Sequence, residues 1–341
     1  MREPIMQGRG YYNRHSELQA RSAEGADGVL ERALAAVAIP AGPPTIADFG
    51  SSQGHNSMRQ IALMLDRLTE RIGRERDISV VHTDLPHCDY TSLFATLESS
   101  PESYRRGRPY AFASAIGHSF YDRLFPVGSL TLGWSSFALH WMSALPMALP
   151  EHIWPVRASS DEGRALAEVA EADWRNFLAH RAEELAPGGQ LVLVIGAVDE
   201  NGATGLEPMM DLANDILRTL VTEGKLGAQA YAAMTIASRP RSREEFTAPF
   251  DKGDLAKLSL EELVISETSN AAMLRWRQTG DAAAFASDIA GFFIAAFGPS
   301  LFGDDEPLRE LFVERFTAAI EHAPEPIARP LVTATLRIAR R

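Results

Sequence analysis

One short segment of the chain carries the residue types of a ligand-binding loop. Residues 45–57, TIADFGSSQGHNS, run from an apolar stretch through Asp48 to two glycines and then to a helical pattern. This order predicts a strand, a tight turn and a helix start, where Gly50 and Gly54 let the backbone approach a ligand because they lack a Cβ. The free N–H groups at a helix start attract anionic groups. One hypothesis is therefore a nucleotide-like cofactor at the carboxyl end of a strand in an open α/β sheet.

Two other interpretations of the same loop stay open. The segment lacks the GxGxxG spacing of NAD-binding proteins, but it fits GxSxG with Ser52 at the centre, the pattern of a hydrolase nucleophile. A hydrolase would also need a later Asp, an oxyanion-hole loop and a later His, for which His152, His180 and His322 are candidates. Such a nucleophile normally follows several strands, whereas only a short helix fits before Thr45. A strand-to-helix turn without a ligand is the plainer alternative.

A second acid is predicted to lie at the same edge of the sheet. The β-rich segment 78–83 ends at Asp84, so this carboxylate follows the second strand. In nucleotide-binding βαβ units an acid at that position accepts hydrogen bonds from a ribose diol. Its separation from Gly50 exceeds the roughly 20 residues of the NAD-binding unit, because the intervening helix is longer. An acid that merely caps the next turn is the alternative.

Aromatic residues follow the next two predicted strands. In the segment 117–121, GHSFY, a small residue beside aromatic rings suits the binding of a flat ring. The segment 135–142, SSFALHWM, forms either a pocket wall or core, and core is the more common place for aromatic side chains. Phe292, Phe293 and Phe297 repeat at helical spacing, which indicates core.

Composition and charge exclude several classes of protein. The chain of 341 residues is 45% hydrophobic and has a net charge of -12 at pH 7, so it lacks the basic surface that nucleic-acid binding requires. Its one cysteine, Cys88, excludes an internal disulfide framework and suits the cytoplasm. The segment 1–19 has no signal-peptide core, and no apolar run approaches the roughly 20 residues that span a bilayer. We expect a cytoplasmic protein with neither nucleic acid nor membrane as a partner.

Strands alternate with helices along most of the chain. This order predicts an α/β fold, with a mostly parallel sheet covered by helices on both faces. A long helix over 161–185 is expected to stop at 187–189, PGG, before a fifth strand at 190–195. The next segment, 208–238, is helical without strands, and we interpret it as an inserted cap over the ligand crevice. Two late strands are expected at 258–266 and 331–338.

These elements suggest a division of the chain into four parts. The parts are an N-terminal arm that closes over the site (1–27), a cofactor-binding core (28–200), a helical cap (201–253), and the rest of the core with cap helices between the last strands (254–341).

Six segments, in order along most of the chain, resemble the motifs of the SABATH methyltransferases, the salicylate, benzoate and theobromine type. The segments are MQGRGYYNRHSELQ (6–19), DFGSSQGHNS (48–57), TDLPHCDYTSLF (83–94), GHSFYDRLFP (117–126), WSSFALHWMS (134–143) and RAEELAPGG (181–189). They resemble the family's arm, D-L-G-C-S-S-G-P-N-T, N-D-L-P-x-N-D-F-N-x-L-F, G-S-F-Y-x-R-L-F-P, H-S-S-Y-S-L-x-W-L-S and R-x-x-E-L-x-x-G-G. The sequence departs from these patterns at Tyr11, Ser51, His55 and Phe137, and it matches the family poorly around 235–240.

The resemblance implies a Rossmann-like class I methyltransferase fold and S-adenosylmethionine as the cofactor, with S-adenosylhomocysteine as its product. The residues that would line the cofactor site are Tyr12, Ser16, Asp48, Gly50, Asn56, Asp84, Leu85, Ser119 and Phe120. Asp84 would hold the ribose hydroxyls, and Ser119 would bond to an adenine that packs on Phe120. No metal ligands are predicted. Relatives are often homodimers, so a homodimer is expected.

The resemblance also implies where an acid would bind. In acid-methylating members a Gln of the arm and the Trp of the S-x-W segment hold the substrate carboxylate, which here implies Gln19 and Trp141. Phe137 and His140 would also line this pocket. A carboxylate is already ionised at pH 7 and needs no general base, so catalysis is mostly positioning and desolvation. His140 would contact substrate, or act as a base if the acceptor were a nitrogen or a phenol, with a packed core histidine as the alternative.

The expected function is therefore methyl ester formation on a small hydrophobic or aromatic acid by in-line displacement. Two alternatives use the same scaffold, namely N- or O-methylation of a small heterocycle or phenol and a catalytically silent binding protein. An α/β hydrolase that uses Ser52 is the remote alternative.

Overall fold

The structure is a computed structural model that describes residues 17–251, 255–323 and 325–341. Its strands are β1 (Thr45–Phe49), β2 (Ile78–Asp84), β3 (Ala111–Gly117), β4 (Leu130–Ser136), β5 (Leu185–Gly196), β6 (Leu258–Thr268) and β7 (Leu331–Arg340). Its helices are α1 (Glu17–Gly25), α2 (Asp27–Ala36), α3 (Met58–Ile72), α4 (Tyr90–Ser99), α5 (Ser160–Glu184), α6 (Glu207–Thr222), α7 (Ala228–Ala232), α8 (Arg243–Asp251), α9 (Ala271–Thr279), α10 (Ala282–Phe302) and α11 (Glu306–Glu321).

The strands form one sheet in the order β3-β2-β1-β4-β5-β7-β6. The first five strands of that order pair in parallel, and β7 pairs antiparallel with both β5 and β6. The strand order reverses between β1 and β4, which is where open α/β sheets bind their ligands. The predicted α/β fold with a mostly parallel sheet is confirmed.

Alternate residues of the strands enter two different cores, one on each face of the sheet. Ile46 of β1 packs with helices α1 to α4, whereas its neighbour Ala47 packs on the other face with α5. Helix α5 begins with a capping box between Ser159 and Glu162, which satisfies two of the free N–H groups at the start of the helix. Helices therefore cover both faces of the sheet, and a ligand meets the central strands at their carboxyl ends.

A separate helical layer packs beside the sheet. Its core consists mainly of residues from α6, α9, α10 and α11, and it also includes Trp141 and Trp154. Phe293 lies at its centre, with ring centroids 5.4 Å from Phe312 and 5.0 Å from Phe316. Met209 and Met210 are buried in the same core.

Two local expectations were wrong, and one helix was missed. Helix α5 ends at Glu184 and β5 begins at Leu185, so 187–189 lies inside the strand rather than ending the helix. The pairing register with β4 shifts within this segment, because its extra residues form a bulge. Helix α9 was not anticipated.

The second wrong expectation is that no apolar run approaches the length that spans a bilayer. Helix α10, Ala282–Phe302, is long and apolar enough to span a bilayer, although 72% of its most apolar window is buried inside the protein. That burial is typical of a core helix.

A buried ion pair joins α5 to the segment after β3. Arg181 and Glu184 are fully buried, and Arg181 Nη2 donates to Glu184 Oε1 at 2.9 Å. The guanidinium also donates to the carbonyl oxygens of Phe120 and Asp122, while Glu184 Oε1 accepts from the backbone N–H of Leu124. The pair therefore fixes a segment whose residues reach the ligand crevice.

We predict that Glu184→Ala lowers the free energy of unfolding by about 3–5 kcal/mol, because it leaves a buried guanidinium without its acid. Chemical denaturation measures this directly. The matched control is Glu183→Ala, since Glu183 is exposed and pairs with Lys257 at the surface, where ion pairs contribute little. Equal stability losses in the two variants would contradict the assignment.

Candidate functional site

A cavity of about 460 Å³ lies at the carboxyl ends of β1, β2 and β4. This volume lies within the range of small-molecule sites. All of the predicted cofactor residues that the structure describes line it, namely Asp48, Gly50, Asn56, Asp84, Leu85, Ser119 and Phe120. Tyr12 and Ser16 lie outside the described residues. We call this space the cofactor cavity.

The loop after β1 has the strained backbone of a close turn. Gly50 has φ +77°, and a Cβ at this position would lie 2.2 Å from the Cβ of Ala138. Ser52 has φ +48°, a conformation that non-glycine residues seldom adopt. Its N–H donates to Asp84 Oδ2 at 2.7 Å. The hydrogen bond from Ser52 therefore joins the loop after β1 to the acid at the end of β2.

Asp84 projects into the cofactor cavity with both oxygens held by backbone. Oδ2 accepts from Ser52, and Oδ1 accepts from the N–H of Leu85 at 2.8 Å. Burial raises the pKa of the Asp84 carboxyl above its ordinary value, although these two donors oppose the shift. A ligand with two adjacent hydroxyl groups would supply the further donors that such a carboxylate lacks.

A buried series of side-chain hydrogen bonds fixes Asp48 at the wall of the cavity. Its Oδ2 accepts from Ser57 Oγ at 2.6 Å and lies 2.9 Å from His82 Nδ1. His82 Nε2 lies 2.9 Å from the hydroxyl of Tyr104, and both of these side chains are fully buried. With the proton on Nδ1, the imidazole donates to Asp48 and accepts from Tyr104, so every group in this series has a partner.

The cofactor cavity is acidic. Five aspartates line it, and its lining in the described part of the chain contains neither Lys nor Arg; the five are Asp48, Asp84, Asp89, Asp122 and Asp173. Such a lining favours a ligand with positive charge. S-adenosylmethionine carries a sulfonium and an ammonium group against one carboxylate, and its ribose matches Asp84. The residues present therefore fit this cofactor.

A second, smaller cavity lies on the other side of Phe137 and Trp141, and we call it the acid cavity. Phe137 and Trp141 line both cavities. The acid cavity is otherwise lined mainly by apolar and aromatic side chains from the helical layer and the last strand, together with Gln19 and His140. Its lining, among residues 17–251, 255–323 and 325–341, contains no Asp, Glu, Lys or Arg. The four predicted substrate residues thus share one space.

Gln19 and His140 bring polar atoms to this apolar space. Gln19 is only 5% exposed, and its Oε1 has no hydrogen-bond partner among the described residues. Burial lowers the pKa of His140 to about 3, so the imidazole is neutral near pH 7. Its Nδ1 accepts from the N–H of Gly196 at 3.4 Å, which leaves the proton on Nε2. His140 is then a hydrogen-bond donor rather than a base.

The turn that carries Trp141 is held by several hydrogen bonds to its backbone, and we call residues 137–142 the tryptophan turn. Phe137 has φ +57° and donates its N–H to Val194 at 2.9 Å. The turn's other backbone contacts are Arg241 Nη1 to Leu139 O (2.5 Å), Arg239 N to His140 O (2.8 Å), Tyr121 Oη to Trp141 O (2.6 Å) and Met142 N to Ala237 O (2.8 Å). The backbone that carries the Trp141 ring is therefore fixed between the two cavities.

Sequence reasoning missed several residues of the two cavities. Asp173 and Asn176 reach the cofactor cavity from helix α5, and Trp154 reaches the acid cavity from the segment before that helix. Phe292 and Phe297 line the acid cavity, whereas Phe293 lies in the helical core as expected. Helical spacing alone does not distinguish a residue facing a cavity from one facing core.

The sheet order, the loop after β1 and the acid at the end of β2 together define a class I methyltransferase fold. The particular family follows from comparison with known proteins. The chain belongs to the SAM dependent carboxyl methyltransferase family, whose model matches residues 4–325. This confirms the SABATH resemblance, and it favours a methyltransferase over the hydrolase alternative.

Relatives and one solved structure agree with this assignment. The chain is 27% identical to Methyltransferase LUC1 of Fusarium sp, over 70% of this chain and 64% of that protein. It is 32% identical to a Petunia hybrida benzoic acid/salicylic acid carboxyl methyltransferase, over 56% of this chain and 57% of that protein. Arabidopsis thaliana gibberellic acid methyltransferase 2 is 26% identical, over 69% of this chain and 67% of that protein. The matches thus span about two thirds or less of these relatives.

The structure of a loganic acid methyltransferase with SAH superimposes with a TM-score of 0.79. The superposition covers 99% of both chains at 20% sequence identity. At this identity the likeness establishes the fold alone.

We predict that Asp84→Asn weakens S-adenosylmethionine binding roughly ten- to hundredfold, the effect of losing hydrogen bonds to a charged group. Affinity in the unsubstituted protein should also fall as pH decreases. The fall should begin above the ordinary aspartate range, because the pKa of Asp84 is raised. Calorimetric titration from pH 8 to 5 measures both effects.

The Asp84→Asn variant should show a flatter pH dependence, since the group that titrates has been removed. Asp288→Asn, in the helical layer, is the control and should bind like the unsubstituted protein. Unchanged affinity in Asp84→Asn would show that the carboxylate does not hold the cofactor.

Proposed function

We propose that this protein transfers the methyl group of S-adenosylmethionine to the carboxylate of a small hydrophobic or aromatic acid, forming a methyl ester. One observation carries the proposal: Phe137 and Trp141 form a shared wall between the two cavities. The cofactor cavity is lined by aspartates and fits a cationic cofactor, whereas the acid cavity has an uncharged, largely aromatic lining. A donor and an acceptor bound on the two sides would meet at this wall. The relatives named for benzoic, salicylic and gibberellic acids support the same substrate class.

The protein's role in this reaction is positioning. When bound, S-adenosylmethionine supplies an activated methyl group on a sulfonium. The indole N–H of Trp141, the amide of Gln19 and the Nε2–H of His140 are donors that could hold a carboxylate in the acid cavity. Held by these groups, one carboxylate oxygen would be bonded and the other would face the methyl group in line. The aromatic walls exclude water, which leaves the nucleophilic oxygen less solvated.

The state of His140 favours a carboxylate over a nitrogen or phenol acceptor. A phenol must lose its proton before or during methylation, which requires a base poised near neutral pH. The pKa of His140 is lowered to about 3, and its Nδ1 already accepts from Gly196. A carboxylate needs no such base. We therefore propose His140 as a binding group for the acid.

The size of the acid cavity favours a one-ring acid. Its volume is about 50 Å³, against about 460 Å³ for the cofactor cavity. This suits a single ring with a carboxyl group better than a polycyclic acid such as gibberellic acid.

The remaining expectations extend this proposal. The arm (1–27) would close over the acid cavity, consistent with the buried position of Gln19. The helices of 201–253, joined by α9 to α11, would roof the acid cavity, to which α10 contributes Phe292 and Phe297. A cytoplasmic location is supported by the single cysteine. A homodimer stays a prediction from the family resemblance.

The test is transfer of labelled methyl from S-adenosylmethionine to benzoate, salicylate, cyclohexanecarboxylate and gibberellic acid. We predict ester formation with the one-ring acids and little with gibberellic acid. Trp141→Phe keeps an aromatic ring but removes the N–H, and Gln19→Leu removes the amide. Each should raise the KM for the acid about tenfold or more, as expected for losing a hydrogen bond to a charged group. The affinity for cofactor should stay within a factor of about 2–3, because the donors face the acid.

Trp276→Phe is the matched control, because Trp276 packs in the helical layer away from both cavities. It should leave both constants unchanged. Methyl transfer to a nitrogen or phenol, with none to any acid, would overturn the assignment of a carboxylate acceptor. Unchanged KM in both Trp141→Phe and Gln19→Leu would overturn the proposed carboxylate-binding groups.

A further inference from the structure

Arg241 is a fully buried cation that bonds to neutral groups. It is 2% exposed, and its guanidinium donates to Leu139 O at 2.5 Å and to Ala170 O at 3.0 Å. The guanidinium carbon also lies 5.7 Å from the ring centroid of Trp174. None of these contacts needs a full positive charge, since neutral amide donors can serve carbonyl oxygens equally well.

The backbone of Arg241 lies against the wall of the acid cavity, and its side chain extends from there toward helix α5. Its N–H donates to Gly196 O at 3.3 Å, and its own carbonyl accepts from Val198 N at 3.0 Å, so it forms a bridge beside Ala197. Gly196 and Ala197 both line the acid cavity. The side chain then continues to Leu139, the residue before His140 in the tryptophan turn. Arg241 thus lies one layer behind the proposed binding groups for the acid.

The positive charge of Arg241 affects the pKa values of neighbouring side chains. It contributes to the lowered pKa of His140, after the larger effect of burial. The charge of Arg241 also acts on the Tyr121 hydroxyl and on Asp173. The Asp173 carboxylate accepts from the N–H of Ser143 at 2.8 Å and from the Ser143 hydroxyl at 2.6 Å. Asp173 therefore has its own donors and lines the cofactor cavity rather than the acid cavity.

Burying a cation has a large desolvation cost unless an opposite charge compensates for it. A carboxylate that enters the acid cavity also has a desolvation cost without a compensating charge, because the described lining of that cavity holds no cation. The two charges would stabilise each other across one layer of protein, where the effective dielectric is well below that of water. Arg241 lies beside the segment 235–240, where the sequence departs from the family pattern, so no family motif points to it.

We propose that Arg241 is a positioning residue that supplies the counter-charge for the substrate carboxylate from behind the tryptophan turn. This inference rests on the proposed function, since it assumes an acid in the acid cavity. It makes a separate claim about binding, because the preference of the cavity for an anion over its neutral analogue should depend on one buried charge.

The experiment compares the binding of benzoate and benzamide, which differ in charge but little in shape, with S-adenosylhomocysteine present throughout. The variants are Arg241→Lys, which keeps the charge, and Arg241→Gln and Arg241→Met, which remove it. We expect the Kd of benzoate to rise about tenfold in Arg241→Gln and Arg241→Met and to change less than about threefold in Arg241→Lys. The Kd of benzamide should be the same in all four proteins.

Arg239→Gln is the matched control. It removes the same charge two residues away, from a side chain that pairs with Glu245 at 2.7 Å, and it should leave the preference for benzoate unchanged. The Kd of S-adenosylhomocysteine reports whether each variant is folded.

Three results would overturn the proposal: equal binding of benzoate and benzamide by the unsubstituted protein, a preference for benzoate that survives in Arg241→Gln, or parallel losses of both probes in every variant. The last result would show a role in holding the turn alone. Because binding is measured without turnover, these outcomes are distinct from a failure to form an ester, which would concern the proposed function.

Discussion

The structure depends on the fixed conformation of the tryptophan turn. A turn between two cavities is exposed to both, and a mobile one would let the cavities merge and let water reach the reacting atoms. Here the carbonyl oxygens of Leu139 and His140 accept hydrogen bonds from the segment 239–241, and that of Trp141 accepts one from the hydroxyl of Tyr121. The left-handed backbone at Phe137 is a local strain that these contacts maintain. The backbone position of Trp141 is therefore set before any ligand arrives.

The other elements are arranged around this turn. The sheet brings the loop after β1 and the end of β2 to the same edge as the end of β4, from which the turn begins. The buried pair of Arg181 and Glu184 fixes the segment after β3 that completes the cofactor cavity. The helical layer closes the acid cavity with aromatic rings, and the segment that follows its first helices returns to hold the turn through Arg239 and Arg241. In the proposed function each of these features serves positioning, which is the main requirement when the methyl group is already activated.

Much of this arrangement could be predicted because its signals are local. The pattern of Asp48, Gly50 and Gly54 predicts a strand-turn-helix from a few adjacent residues, and Asp84 follows directly from the end of a β-rich run. The boundary at Glu184 could not be predicted, since a Pro-Gly-Gly segment ends a helix in most contexts, and here a bulge in β5 accommodates it instead.

The lining of the acid cavity was harder still to predict from the sequence. Its lining joins Gln19 near the start of the described chain to Val332 in the last strand, and only the folded sheet brings the two together. The same holds for Arg241, whose importance lies in contacts with Leu139 and Ala170, 102 and 71 residues earlier in the chain.

The most direct measurement is a crystal structure of the protein with S-adenosylhomocysteine and benzoate. The central claim is that an acid binds beyond the Trp141 wall with its carboxylate turned toward the cofactor. We predict one carboxylate oxygen within about 3.5 Å of Trp141 Nε1 and of the Gln19 amide, with the other facing the sulfur of the cofactor. A benzoate in the acid cavity with its carboxylate directed away from Trp141, or bound outside this cavity altogether, would contradict the account.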